Sequence, residues 1–134
     1  MKKFLTVLGI ILAVVLAFNF LLIAMTFHGV DADSIAEIHV HNGLSFNQFT
    51  ITEERDIDIV AAEINDLHPY LWFGIPGTGY VYYLRCFDAS GNLICSLTIA
   101  DNSTLIAGRS LLFTDCTELR AVLEQLDTWY TVTD

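Results

Sequence analysis

The chain has 134 residues and a formal net charge of −10, from 16 acidic and 6 basic residues. All the acidic residues lie after residue 28, together with four of the six basic ones, so residues 28–134 carry a formal charge of −12. A nucleic-acid-binding surface needs the opposite sign, so nucleic acid is excluded as a partner. An acidic exterior favours solubility and cationic partners.

A long apolar segment follows Lys2 and Lys3 and covers residues 4–27. A bilayer core of about 30 Å needs about 20 apolar residues in a helix, so the segment predicts a transmembrane anchor after a three-residue cytoplasmic stub. The next basic residue is Arg55. The positive-inside rule therefore predicts a single-pass protein of the cell membrane, with its N-terminus in the cytoplasm and its C-terminal part outside.

A cleaved signal peptide is the alternative interpretation of this segment. Val30-Asp31-Ala32 has small residues in the right places for cleavage after Ala32. The apolar core of a signal peptide has about 7–15 residues, however, and residues 4–27 form a much longer run. The length favours a retained anchor.

Small residues recur along one side of the anchor. They lie within about 80° of one another at 100° per residue, and small residues four apart let two membrane helices approach closely. The pattern predicts a homodimer through the anchor. Its members are Gly9, Ala13, Ala17 and Ala24.

Residues 28–34 are predicted to be a linker, and residues 35–134 a single small domain. In the domain, 35–41 and 44–51 are predicted strands, and Asn42-Gly43 between them predicts a two-residue type I′ turn, whose central residues need positive φ. A helix follows, ended by Pro69 and with Thr50 or Thr52 as candidate caps. Its apolar stripe consists of Ile57, Val60, Ala61, Ile64 and Leu67.

Three strands and a second helix complete the predicted order β-β-α-β-β-β-α. The strands are 80–88, 93–100 and 104–113, the last with a bulge at Gly108. The last helix begins near Asp115, which has capping-box spacing to Glu118. Its apolar stripe consists of Leu119, Val122, Leu123, Leu126 and Tyr130. The predicted class is α+β, with a mostly antiparallel sheet and helices on one face.

Two histidines, His39 and His41, share one face of the first strand. With a two-residue turn they would lie opposite Phe46 and Leu44. Together with Glu37 they are weak candidates for metal ligands, but positions i, i+2 and i+4 spread over about 13 Å, too far for one ion. The sequence therefore predicts no metal site and no cofactor.

The cysteines Cys86, Cys95 and Cys116 have no CxxC spacing. With an even loop from Ala89 to Asn92, Cys86 would lie opposite Cys95 and a disulfide would be predicted. With a type I turn over Asp88–Gly91 and a glycine bulge, Cys86 would face Ile94 instead. Turn chemistry favours the second register and apolar patterning the first, so both stay open.

Catalysis is the less favoured function. Cys116 at a helix N-terminus would suit a thiolate nucleophile, and the His39/His41 pair would suit a metal enzyme. No hydrolase or phosphate-binding motif occurs in the chain. A structural envelope component without a discrete ligand is a third interpretation.

The aromatic, glycine-rich stretch YLWFGIPGTGY favours a binding function instead. Tyr70, Trp72, Phe73 and Tyr80 are its predicted contact residues, because aromatic residues are enriched at interfaces. The short Lys-led anchor and compact chain suggest a bacterial protein. The leading prediction is an acidic, membrane-anchored extracytoplasmic domain that binds a protein or peptide.

Overall fold

The computed structural model describes residues 1–26, 29–68, 70–71, 80–102, 104–107 and 110–133. The helices are α1 (Lys2–Thr26), α2 (Glu54–Asn65) and α3 (Thr117–Thr133), with a short 3-10 helix at Ala32–Ser34. The strands are β1 (Glu37–Asn42), β2 (Gln48–Ile51), β3 (Tyr70–Leu71), β4 (Tyr82–Phe87), β5 (Leu93–Ile99), β6 (Thr104–Ala107) and β7 (Ser110–Phe113). An N-terminal apolar helix therefore precedes an α+β domain, as predicted.

Helix α1 is long and apolar enough to span a membrane over Lys2–Leu21, and none of that stretch is buried in the protein. A signal sequence near an N-terminus has the same properties. The predicted segment ends at Phe27, which lies outside the described residues. The predicted linker includes Val30, which is buried, and the 3-10 helix.

The described strands form one antiparallel sheet in the order β2-β1-β4-β5-β6-β7-β3. Along β1, β2, β4 and β6, every second side chain is buried in the core, as an antiparallel sheet with one buried face requires. Ile38 and Val40 of β1, for example, are almost fully buried, whereas His39 and His41 are not.

Helices α2 and α3 fill the buried side of the sheet. Both predicted apolar stripes are confirmed: four members of the α2 stripe lie in the helix, and Leu67 is buried just beyond it. In α3, Leu119, Leu123 and Leu126 are buried, while Val122 and Tyr130 pack at the edge of the core. Periodicity at helical spacing was a sufficient guide to both helices.

The predicted type I′ turn at Asn42-Gly43 is wrong. The loop runs over residues 43–47, with His41 opposite Gln48 and His39 opposite Thr50. The side chain of Asn42 accepts hydrogen bonds from the backbone N–H groups of Leu44 and Ser45, and this widens the turn. Positive φ falls on Phe46, at 63°, rather than on Gly43.

The β4–β5 connection combines both predicted registers. Asp88–Gly91 forms the turn, closed by Gly91 N–H donating to the Asp88 carbonyl, and Gly91 has a φ of 83°. Phe87 then pairs with Leu93, but Cys86 pairs with Cys95, so the sheet is irregular at Ile94. The extra residue restores the apolar register after a turn that would otherwise break it.

Two further expectations on the strands and caps were wrong. Residues 104–113 form two antiparallel strands, β6 and β7, instead of one bulged strand, and Gly108 lies outside the described residues. The short strand β3, which pairs with β7, was not predicted. At the start of α2 the N-cap is Glu53, without a side-chain capping bond, so neither threonine caps it. At the start of α3, Asp115 accepts from the backbone N–H of Thr117, two residues on, and the predicted capping box with Glu118 stays a prediction.

We predict that Gly43→Ala destabilises the domain more than Gly91→Ala. A Cβ at Gly43 would overlap the carbonyl oxygen and the ring of Tyr80, whereas a Cβ at Gly91 meets open space despite the positive φ. The expected costs are roughly 2–3 kcal/mol for Gly43, by overpacking, and about 1 kcal/mol for Gly91. Urea unfolding of the full chain in detergent, followed by near-UV circular dichroism, measures both. A larger loss at Gly91 would contradict the prediction.

Candidate functional sites

The first candidate site is the open face of the sheet, opposite α2 and α3. Strand alternation places Glu37, His39 and His41 on this face of β1, and Tyr83, Arg85 and Phe87 on the same face of β4. His39 lies opposite Arg85, and His41 opposite Tyr83. The predicted strand face is therefore confirmed, with Thr50 and Gln48 as the β2 neighbours in place of Phe46 and Leu44.

Each imidazole on this face has its own partner. The His39 Nε2 atom lies 2.9 Å from Glu37 Oε1 and donates to it, since a carboxylate only accepts. The His41 Nδ1 atom is hydrogen-bonded to the hydroxyl of Tyr80 at 2.7 Å. Among the described residues, no group of three or more His, Cys, Asp or Glu side chains is placed to hold a metal ion.

Arg85 lies at the centre of the open face. Its guanidinium carbon is 5.7 Å from the ring centroid of Tyr83 and 5.6 Å from that of Phe87. These distances are within the range of cation–π attraction, which holds the guanidinium flat against the strand. A concave surface of about 150 Å³ opens beside it, lined by side chains of β1, β2 and β4.

The second candidate site is a cleft of about 820 Å³ between the end of α2 and the start of α3. Four carboxylates line it, and no Lys or Arg does so within the described part of the chain. His68, Asn102 and Thr114 contribute polar groups. The four carboxylates are those of Glu63, Asp66, Asp115 and Glu118.

Asp115 is the carboxylate of this cleft that lies at the start of α3 and is hydrogen-bonded to it. Its pKa is held below the usual range by hydrogen bonds from Thr117, whose side chain and backbone N–H both stabilise the charged form. The same bonds begin α3. Asp115 therefore both accepts a hydrogen bond at the start of α3 and contributes negative charge to the cleft.

Cys116 is fully buried at the start of α3. Burial raises the pKa of its thiol to about 12, with further contributions from the charges of Asp115 and Asp101. Its Sγ atom points to the Thr114 carbonyl at 3.6 Å. A nucleophilic cysteine needs a lowered pKa and an accessible sulfur, so this environment is the reverse of the one expected for a catalytic thiol.

Cys86 and Cys95 lie directly opposite each other on β4 and β5, both as free thiols. A hydrogen bond between the two sulfurs raises the pKa of Cys86, which burial raises further, and lowers the pKa of Cys95. Cys95 is also the more exposed of the two. The predicted disulfide stays a prediction, with its two sulfurs in hydrogen-bonding contact.

We predict that iodoacetamide alkylates Cys95 first and Cys116 last in the folded, reduced protein. The thiolate is the reactive form, so the rate at Cys95 rises at lower pH than the rate at Cys116. Cys86→Ala removes the thiol donor and should slow alkylation of Cys95 near neutral pH. Mass mapping of the labelled peptides against pH gives the rates. Equal labelling of Cys95 and Cys116, or an unchanged rate in the variant, would contradict this assignment.

The predicted contact loop is only partly described. Trp72 and Phe73 lie outside the described residues, and Tyr70 is described only as part of the β3 backbone. Tyr80 is the member that the structure locates, against His41 and Tyr83. In α1, Gly9, Ala13 and Ala17 are exposed, and nothing lies near Gly9. Self-association through these residues and Ala24 stays a prediction.

Arg85 and the acidic cleft were missed from the sequence. The spacing of Tyr83, Arg85 and Phe87, two apart along one strand, was an available indication of a guanidinium between two rings. The cleft had no such pattern, because its carboxylates come from two helices about 50 residues apart in the chain.

No protein-family model, curated protein or solved structure matches the chain.

Proposed function

We propose that this protein is a membrane-anchored binding protein whose extracytoplasmic domain holds a cationic segment of a protein or peptide in the α2–α3 cleft. The supporting observation is the cleft itself: about 820 Å³, four carboxylates, and no Lys or Arg lining it among the described residues. Its volume is within the range of ligand-binding clefts. Its charge favours Lys and Arg side chains as ligands.

The positive charges at the cleft are too few to reverse this preference. Arg120 donates to Asn102 of the lining, but its charge is paired with Glu124. The N-terminus of α3 contributes the equivalent of about +0.5 charge, and His68 contributes at most one positive charge when protonated. Four carboxylates outweigh both. Since these carboxylates do not cluster tightly enough to bind one metal ion, an extended segment with several positive charges fits them better than a single cation does.

The expected affinity is modest and depends on salt. The four carboxylates are partly or fully exposed, and an exposed ion pair contributes about 0.2–1 kcal/mol. Charge complementarity of this kind mainly raises the association rate and selects partners by sign. The domain's overall charge of −12 acts in the same direction, so the local contribution must be separated from the global one.

We predict that Glu63→Gln with Glu118→Gln weakens binding of a lysine-rich peptide roughly two- to thirtyfold, from the loss of two ion pairs of about 0.2–1 kcal/mol each. The matched control is Asp33→Asn with Asp58→Asn, which removes the same charge from exposed positions outside the cleft. Fluorescence anisotropy with the full chain in phosphatidylcholine nanodiscs, at several salt concentrations, measures the affinity. Equal losses in both double variants would mean that net charge alone attracts the peptide, and would overturn the proposed site.

The retained anchor is supported by contacts just after α1. Val30 is buried, its N–H donates to the Asn65 side-chain oxygen at 2.7 Å, and its carbonyl accepts from the Asn65 amide at 2.8 Å. Cleavage after Ala32 would remove Val30 from the domain and leave the Asn65 amide at the end of α2 without both bonds. A folded domain that uses these residues favours a junction that stays intact.

We predict that a C-terminal tag on the full chain fractionates with membranes and is digested by protease added from outside, after opening of an outer membrane where one is present. The reason is the charge asymmetry between Lys2-Lys3 and the acidic domain. Immunoblotting before and after protease addition reads out the tag, and a cytoplasmic protein in the same cells is the control. A soluble tag would indicate cleavage, and a tag protected until lysis of the inner membrane would reverse the topology.

A further inference from the structure

On the open face of the sheet, Arg85 is a cationic group without a carboxylate partner among the described residues. Within the described residues, the ion pairs are His39–Glu37 and Arg120–Glu124, and Arg85 takes part in neither. It lies over the ring faces of Tyr83 and Phe87, and its guanidinium N–H groups have no hydrogen-bond partner among the described residues. In a domain with a charge of −12, an arginine held away from acids is unexpected.

Other hydrogen-bonding groups surround Arg85 on the concave surface of about 150 Å³. His39 and His41 each use one ring nitrogen on a described partner, which orients the ring and leaves the other nitrogen available. In the tautomer in which Tyr80 donates to His41 Nδ1, the Nε2–H of His41 is a donor. Eight residues line this surface, and the six with polar side chains are His39, His41, Gln48, Thr50, Tyr83 and Arg85.

The chemistry of these groups selects an oxyanion. A guanidinium is a planar fork of N–H donors that binds a carboxylate or phosphate through two parallel hydrogen bonds. Stacking on two rings reduces the conformational freedom that the side chain loses on binding. The surface is shallow and small, so it accommodates one such group and not a large ligand.

The charges on this face favour a monoanion over a dianion. Attraction to the guanidinium of Arg85 and repulsion from neighbouring carboxylates both scale with the ligand's charge, so a second negative charge helps only where positive charge dominates. Glu37, which is hydrogen-bonded to His39, adds to this repulsion on the same face. Since Arg85 is the one permanent positive charge lining the surface within the described chain, a single negative charge matches it.

We propose that this surface is a carboxylate-binding site, with Arg85 as its bidentate donor and His41 as a second donor. The carboxylate belongs either to a small organic acid or to the C-terminus of a peptide. The site is on the face of the sheet opposite α2 and α3, and it is independent of the cationic ligand proposed for the cleft.

The test is an NMR titration of the ¹⁵N-labelled full chain in phosphatidylcholine nanodiscs. Sodium acetate is added at constant ionic strength, with sodium chloride as the balancing salt. The Nε–H signal of Arg85, assigned by its absence in Arg85→Lys, should shift saturably, and that of exposed Arg55 should not. In Arg85→Lys, the affinity read from the His41 ring signals should fall about tenfold or more, because the ammonium lacks the fork. Arg55→Lys is the matched control and should bind acetate as the wild type does.

Two further titrations identify the ligand. The first uses a short peptide with a free C-terminus, with the same peptide amidated as its control. If the free peptide binds more tightly than acetate, the ligand is a peptide C-terminus. If the two bind equally, the ligand is a small organic acid. Inorganic phosphate is the third probe. The proposal is overturned if acetate gives no saturable shift, if Arg55 responds like Arg85, if Arg85→Lys binds as the wild type does, or if phosphate binds more tightly than acetate.

Discussion

A buried hydrogen-bond network around Asn42 fixes the relation of the β1–β2 loop, the sheet and α3. The Asn42 amide donates to Asp127 Oδ2 of α3 at 2.6 Å, and its oxygen accepts the N–H groups of Leu44 and Ser45. The Tyr82 hydroxyl lies within 3.5 Å of both Asn42 and Asp127. All three side chains are buried, so a lost partner would leave a polar group without compensation from water.

This network sets the register on which both candidate sites depend. A one-residue slip of β1 would exchange the buried Ile38 and Val40 for His39 and His41, and the cost of burying two imidazoles prevents it. Tyr82 is fixed by the same network: burial and the charge of Asp127 raise its pKa to about 12, so its hydroxyl remains neutral. With Tyr82 pointing inward, Tyr83 and Arg85 must lie on the open face.

The sequence predicted the parts of the fold that depend on local periodicity. The apolar stripes of α2 and α3, and the pairing of Cys86 with Cys95 in one of two open registers, follow from residues close together in the chain. The β1–β2 turn could not be predicted in this way. The sequence predicted that Asn42 adopts positive φ in a two-residue turn. Its side chain instead donates a hydrogen bond to Asp127, 85 residues further along the chain. Likewise, Gly43 is required by the approach of Tyr80, which is a tertiary contact.

The candidate sites depended even more on tertiary structure. Glu63 and Glu118 are ordinary exposed positions on their own helices, and they form a site only because α2 packs beside α3. Arg85 was interpretable from its neighbours in the strand, but its freedom from acids became clear only when the pairing of β1, β4 and β5 placed His39 and Ser96 beside it. Hydrophobic patterning therefore predicts which face is the core, and says little about the chemistry of the other face.

The opposite charges of the two surfaces are compatible because the sheet and its helices separate them. The thickness of the sheet and its helix layer separates the two surfaces, and the Debye length at physiological salt is about 8 Å, so exposed charges on one surface are largely screened from the other. Arg85 can therefore stay available to an anion although the domain as a whole is strongly acidic. The contact with the rings of Tyr83 and Phe87 keeps the Arg85 guanidinium near its own strand. A flexible arginine without these contacts could reach the nearest carboxylate. Tyr83 and Phe87 therefore fix the position of Arg85 before a ligand binds. Glu37 and Tyr80 do the same for His39 and His41 through hydrogen bonds.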